Sequence, residues 1–262
     1  MFTVRFRRLV LPVLLLLFCA SGTPARAEDN AIIVSAAASL MTAMTSIKKA
    51  YESDHPGQQV YVNFAASGRL LQQIEAGAPV DVFTPADEDT MNRAQKEHLI
   101  EPETRVNFTA NNLLLVVPAN STTIHTANDL ADPKIGKIAL GEPDSVPAGS
   151  YTKEALSALG LWEKLEPKMI YGLSVKQALD YAALGEVDAA FIYETDALMA
   201  KQHVQTVTNM GGHKRIVYPV AVVTGSNKKD KAKDFIAFLT GEQGQTILKE
   251  FGFKTPGHGA SK

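Results

Sequence analysis

From Ile32 onward, short β-branched runs alternate with amphipathic helical stretches, and that alternation leaves few folds open. Ile32-Ile33-Val34 reads as a buried strand. Ala36-Ala37-Ala38-Ser39 follows, then a helix with Leu40, Met44, Ile47 and Tyr51 on one face. Val60, Val62 and Phe64 alternate as in a second strand, and Ala65-Ala66-Ser67-Gly68 opens a helix through Leu71 and Ile74. Strand, small residues, serine and helix thus recur in succession. Further strands are predicted at Asp81 to Thr84, Leu113 to Val117, Ile138 to Leu140, Met169 to Tyr171, Ala189 to Tyr193 and Ile216 to Val223. Helices are predicted around Met91 and Ala94, from Tyr151 to Leu159, from Val175 to a stop at Gly185, near Thr195, and twice near the C-terminus. Asp87 stands where a cap is expected, and Thr126 to Asp129 reads as a capping box. The pattern predicts an α/β fold with mostly parallel sheets and right-handed crossovers. In such folds ligands bind at the carboxyl ends of strands, beside helix N-termini. No internal repeat or linker is visible in the sequence.

The first 27 residues have a different character. Arg5, Arg7 and Arg8 precede an apolar run from Leu9 to Phe18, and Ala25-Arg26-Ala27 has the small-x-small form of a signal-peptide cleavage site. The run is shorter than the ~20 residues of a spanning helix. Phe18 stands before Cys19, where lipid attachment needs a small residue. Cleavage after Ala27 is therefore expected, with the mature chain beginning at Glu28. The segment carries four arginines and no acid, so the −2 of the whole chain becomes −6 once it is removed. The sole cysteine leaves with it, which excludes disulfides and thiol chemistry from the exported chain. The acidic balance and scattered lysines argue against nucleic acid.

Ser39, Ser67, Ala148 and Val175 stand at or beside predicted helix starts, and Tyr193 ends a strand where a helix begins. Helix starts leave backbone N–H groups without partners and carry partial positive charge. Hydroxyls and amides gathered there could hold an oxyanion without Lys, Arg or His. Each residue alone also has a bland reading: Ser39, Ser67 and Ser174 as caps, Pro147 as a helix initiator, Tyr193 as an ordinary sheet tyrosine.

Six strings occur in order: Ala36-Ala37-Ala38-Ser39-Leu40, Phe64-Ala65-Ala66-Ser67, Gln73 to Asp81, Val146-Pro147-Ala148-Gly149-Ser150-Tyr151, Tyr193-Glu194-Thr195-Asp196-Ala197 and Tyr218-Pro219-Val220-Ala221-Val222. Together they resemble the ModA family, the periplasmic molybdate-binding proteins of ABC importers, from Glu28 to about Phe253. The resemblance implies a type II two-lobed periplasmic-binding-protein fold, each lobe a mostly parallel sheet flanked by helices, with the ligand in the cleft. It implies a first lobe of residues 28–107 completed by 224–262, a second lobe of 108–223 that includes the crossover strands, and crossings near Phe108 to Asn112 and Val220 to Val223. It further implies ion ligands at Ser39 and Ser67 through hydroxyl and backbone N–H, at Ala148 and Val175 through backbone N–H, and at Tyr193 through its phenol. The expected ligand is molybdate or tungstate, bound as the oxyanion, with no cofactor and no free-cation site. The expected partner of the periplasmic monomer is a membrane permease.

A donor-rich, acceptor-poor site suits a fully ionised tetrahedral dianion, whereas hydrogen phosphate brings a proton that needs an acceptor. Glu142, Asp144 and Glu194 are accordingly expected to face away. Sulfate differs only in size, so a sulfate- or thiosulfate-binding protein of the same fold is the nearest alternative. An exported enzyme is the remoter one, for the chain has no Gly-x-Ser-x-Gly elbow, Walker loop or His-Glu-x-x-His. Tyr151, Tyr171, Tyr181 and Tyr193 include no adjacent pair of the kind that clustered-tyrosine iron sites use.

Overall fold

The computed structural model describes residues 31–256. The expected signal segment and its cleavage after Ala27 lie outside the described residues, as does most of the tail from Thr255 that reads as frayed in sequence. The chain opens with β1 (Ala31–Ala37), α1 (Met41–Asp54), β2 (Gln59–Ala65), α2 (Ser67–Glu75), β3 (Val82–Thr84), α3 (Glu88–Lys96) and β4 (Val106–Ala110). It continues through β5 (Leu113–Pro118), β6 (Ile138–Gly141), α4 (Pro147–Ala158), α5 (Trp162–Leu165), β7 (Met169–Gly172), α6 (Val175–Ala183), β8 (Ala189–Tyr193), α7 (Glu194–Met199) and β9 (Val204–Asn209). It closes with β10 (Val217–Val222), α8 (Lys229–Thr240) and α9 (Glu242–Glu250). The capping box at Thr126 is present, on a short 3-10 turn. α5, β4 and β9 were not predicted; β9 lies at a sheet edge with only two apolar residues, Val204 and Val207, and lacks the continuous apolar run of a buried strand.

The strands form two five-stranded sheets, ordered β2-β1-β3-β10-β4 and β7-β6-β8-β5-β9. In each, three strands pair in parallel, as the sequence predicts, while β10 and β5 run against their neighbours. The inner strands are buried on both faces: β8 and β10 are buried along their whole length. Covered faces explain why these strands read as near-continuous apolar runs. Around the first sheet, Tyr51 of α1 packs edge-on against Phe235 of α8, with ring centroids 5.2 Å apart.

The chain passes between the sheets at Asn111 and Asn112, and again between Asn209 and Val217. The division implied by resemblance gave all of residues 108–223 to the second lobe. Strand pairing instead places β4 and β10 in the first sheet, because β10 supplies the strand that joins β3 to β4. β10 also contains Pro219, which has no N–H for a ladder, and the β4–β10 register shifts between Tyr218 and Pro219.

Candidate functional site

The carboxyl ends of six strands converge on one small cavity between the sheets. From the first sheet come Ala37, Ala38 and Ser39 after β1, Ala65, Ala66 and Ser67 after β2, and Ala86 after β3. From the second come Val146, Pro147 and Ala148 after β6, Ser174 and Val175 after β7, and Tyr193 at the end of β8. All five residues singled out from the sequence therefore line the same space. It is narrow, with about 210 Å³ free of protein atoms even when its opening to solvent is counted. No charged side chain lines it.

Local sequence explains the geometry. The alanines that precede the serines keep the turn backbones close to the cavity. Pro147 begins α4, where its missing N–H costs nothing. Gly149 lies against Gly141 at the end of β6, where a Cβ would overlap the Gly141 carbonyl; this contact presses the first turn of α4 onto the sheet. Across the cavity the two halves touch. The Gly68 N–H donates to the Ser145 carbonyl at 3.0 Å, and a Cβ on Gly68 would stand 3.0 Å from the same carbonyl oxygen. Lys214, from the β9–β10 connection, pairs with Asp89 at 2.8 Å.

The bland reading of the two serines does not hold. Neither Ser39 nor Ser67 makes a side-chain cap bond, and the caps of α1 and α2 fall on Leu40 and Ala66. Ser174, in contrast, does cap: its Oγ accepts from the Gln177 N–H at 3.3 Å. Ser67 Oγ accepts from the Ala86 N–H at 2.9 Å, and Ser39 Oγ accepts from the Tyr218 hydroxyl at 3.0 Å. A hydroxyl carries one proton, and neither serine spends its own on these bonds. Tyr193 is buried and its hydroxyl has no partner in the protein. Ser67 and Val175 are the first residues of their helices and Ala148 the second, positions whose N–H groups have no intrahelical acceptor.

Burial pushes the Tyr193 phenol well above its ordinary value, and the nearby acids Asp87 and Asp196 push it further. Tyr218 is raised by burial, against the pull of its bonds to Ser39 and Asn111. Both phenols are protonated at neutral pH and available as donors. Two acids that the sequence reading did not place here sit close by. Asp87 caps α3 by accepting from the Thr90 N–H at 2.6 Å, has a second oxygen without a partner, and is raised above the usual carboxylate range, first by burial. Asp196 is fully buried and is raised by burial, with Lys176 opposing. Lys176 Nζ approaches its Oδ1 to 2.6 Å, close in distance but outside hydrogen-bond geometry. Of the acids expected to face away, none lines the cavity. Glu194 is held by Asn112 at 2.7 Å and Lys254 at 3.1 Å, and Asp144 lines an outer crevice with Ser145 and Tyr151. Arg69 is exposed.

Tyr218, Asn111 and Ala86 bear on the site and were not singled out as site residues. Tyr218 and Ser39 are 179 positions apart, a pairing that no local pattern announces.

Residues 32–254 match the family described as bacterial extracellular solute-binding protein. The molybdate-binding protein ModA of Escherichia coli is 38% identical over 243 residues, 90% of this chain and 93% of that protein. The putative ABC transporter substrate-binding lipoprotein YvgL of Bacillus subtilis is 36% identical over 92% of this chain and 93% of its own length. Among solved structures, the substrate-binding domain of a putative molybdenum ABC transporter from Clostridium difficile superposes with a TM-score of 0.67 at 38% identity, covering 86% of this chain and 98% of that domain.

Proposed function

The chain belongs to the bacterial extracellular solute-binding protein family, and on that premise we propose that it captures molybdate in the cavity between its sheets and delivers it to an ABC-type importer. The observation that carries this reading is the polarity of the cavity. It is small, has no charged side chain, and gathers hydroxyl protons and helix-start N–H groups from both sheets. A tetrahedral dianion accepts hydrogen bonds on every face and donates none. Each charge-assisted bond is worth about 1.5–3 kcal/mol, so a handful outweighs the cost of immobilising one ion. Relatives named for molybdate binding, similar along nearly their whole length, support the same ligand.

Ser39 and Ser67 would hold the ion from the first sheet, Ala148, Val175 and Tyr193 from the second. An ion bridging both halves favours their closed arrangement by differential affinity. The closed form would then dock on a membrane permease. In this reading the protein is exported by its N-terminal segment, cleaved after Ala27, acts as a monomer in the periplasm, and catalyses nothing. Tungstate has the same charge and shape and would bind the same donors. Sulfate meets the same donors and can be rejected only by cavity size.

Calorimetric titration of the mature chain with molybdate, with sulfate in large excess, tests the reading. Tight one-to-one binding that sulfate does not displace is the expected result. Binding abolished by sulfate would move the function to sulfate uptake, and binding of neither ion would end the oxyanion reading.

A further inference from the structure

We propose that Tyr218 is a positioning residue that fixes the Ser39 hydroxyl as a donor into the cavity, and so helps the site distinguish unprotonated from protonated oxyanions. The inference rests on the oxyanion reading above and adds two residues, Tyr218 and Asn111, that stand behind Ser39 and do not line the cavity. Its starting point is Asn111, in the first connection between the sheets. The Asn112 N–H donates to Asn111 Oδ1 at 2.9 Å, which sets which end of the amide is oxygen. The amide nitrogen then faces Thr195 Oγ1 at 2.9 Å and Tyr218 Oη at 3.3 Å. An amide NH2 group only donates, so Tyr218 Oη accepts from Asn111. Its one proton goes to Ser39 Oγ, 3.0 Å away. With Oγ occupied from behind, the Ser39 proton is left for the cavity.

The polarity is thus imposed by a relay, Asn111 to Tyr218 to Ser39, buried throughout. Tyr218 stands at the register shift beside Pro219, where the regular pleat is interrupted. Ser67 needs no such relay, because a backbone N–H can only donate. Without Tyr218, Ser39 could rotate and present a lone pair to the cavity. Hydrogen phosphate carries a proton that such a lone pair would accept, whereas molybdate does not.

Tyr218→Phe keeps the ring and deletes the relay proton. Wild type, Tyr218→Phe, Ser39→Ala and the double variant would each be titrated with molybdate and with inorganic phosphate near neutral pH, with apo melting as the control for folding. For Tyr218→Phe we expect molybdate affinity to fall about tenfold, phosphate affinity to hold or rise, and their ratio to drop. In the Ser39→Ala background the same change should cost less than about twofold, because the hydroxyl it positions is gone. Equal loss for both anions, or the same loss with and without the Ser39 hydroxyl, would show a purely structural role and overturn the proposal. Unchanged molybdate affinity in Tyr218→Phe would overturn it while leaving the functional reading intact. Failure of the wild type to bind either anion would bring down both.

Discussion

Each sheet runs through the same order: a first strand paired in parallel with the next two, then a reversed strand, then an edge strand. Three βα turns of each sheet therefore reach the cavity in corresponding places. The first two turns of the first sheet bring Ser39 and Ser67, and those of the second bring Ala148 and Val175. The third turns differ: one brings Tyr193, the other Ala86 and the buried acid Asp87. In the proposed site the first sheet would thus work through hydroxyls whose direction is set by neighbours, Tyr218 for Ser39 and the Ala86 N–H for Ser67. Apart from the Tyr193 phenol, the second would work through backbone N–H groups, which donate whatever their side chain is. Equivalent architecture with unlike donors means that the two halves should respond differently to the same class of substitution.

The largest effects should come from deleting one donor in each half. Ser67→Ala removes a hydroxyl, and Val175→Pro removes a backbone N–H at a helix start where proline is tolerated. Ser174 is extended, at φ −160° and ψ 165°, as a residue before proline should be. Each variant should lose about 10- to 100-fold in molybdate affinity by calorimetry. Their apo losses have different causes. Ser67→Ala leaves the buried Ala86 N–H without its acceptor and should cost about 1–3 kcal/mol in denaturant unfolding; Val175→Pro unpairs no backbone group and should cost only what the change of its buried side chain costs, about 1–2 kcal/mol, as Val175→Ala does. A Val175→Pro protein with wild-type affinity would remove that N–H from the site.

The alternation of strands and helices, and the five residues at the turns, were legible because each leaves a local mark: a β-branched run, a small-residue turn, a helix start. The shared order of the two sheets was not. It lies in pairing between distant segments, and β10, whose Val222 pairs with Val82 of β3 from 140 positions away, has no local mark of its partner. The direction of the hydroxyl bonds was illegible for the same reason, as was the place of Asp87, whose role as a cap was read correctly while its closeness to the cavity was not. Ser39 and Ser67 read as caps because most helix-start serines cap; here the fold gives both oxygens to other donors.

Tyr193→Phe should be next in size, at about a tenfold loss of affinity. Its signature is opposite in sign for stability. The Tyr193 hydroxyl is buried and unpartnered, so removing it should stabilise the apo protein by about 1 kcal/mol. A variant that lost both affinity and stability would show that the hydroxyl is satisfied within the protein, and would make the third turn of the second sheet structural.

Asp87→Asn tests the third turn of the first sheet and should raise affinity about two- to fivefold at neutral pH by removing a negative charge near the ion. Burial holds the Asp87 carboxyl above its ordinary value, with Asp89 adding to the rise and the Thr90 bonds opposing it. Between the unfolded and folded pKa the native chain binds the extra proton, so stability falls as pH rises through that window. A dianion in the cavity favours the proton further, so affinity falls over the same rise in pH. An amide can still accept from the Thr90 N–H, keeps the cap and removes the charge. Both pH slopes should flatten in Asp87→Asn; unchanged slopes would mean that another group titrates.

The smallest effect on binding is expected from Val175→Ala, and that is its use. Val175 is 3% exposed, so deleting two methyl groups should cost about 1–2 kcal/mol of stability. The backbone N–H is untouched, and affinity should stay within about twofold. Stability falls while binding holds, the reverse of Tyr193→Phe. If affinity instead fell in step with stability, the second half of the cavity would depend on side-chain packing as the first half does, and the contrast between hydroxyl and backbone donors would fail. If it held, the loss in Val175→Pro could be assigned to the donor itself, since the same position would tolerate a change of side chain and not a change of backbone.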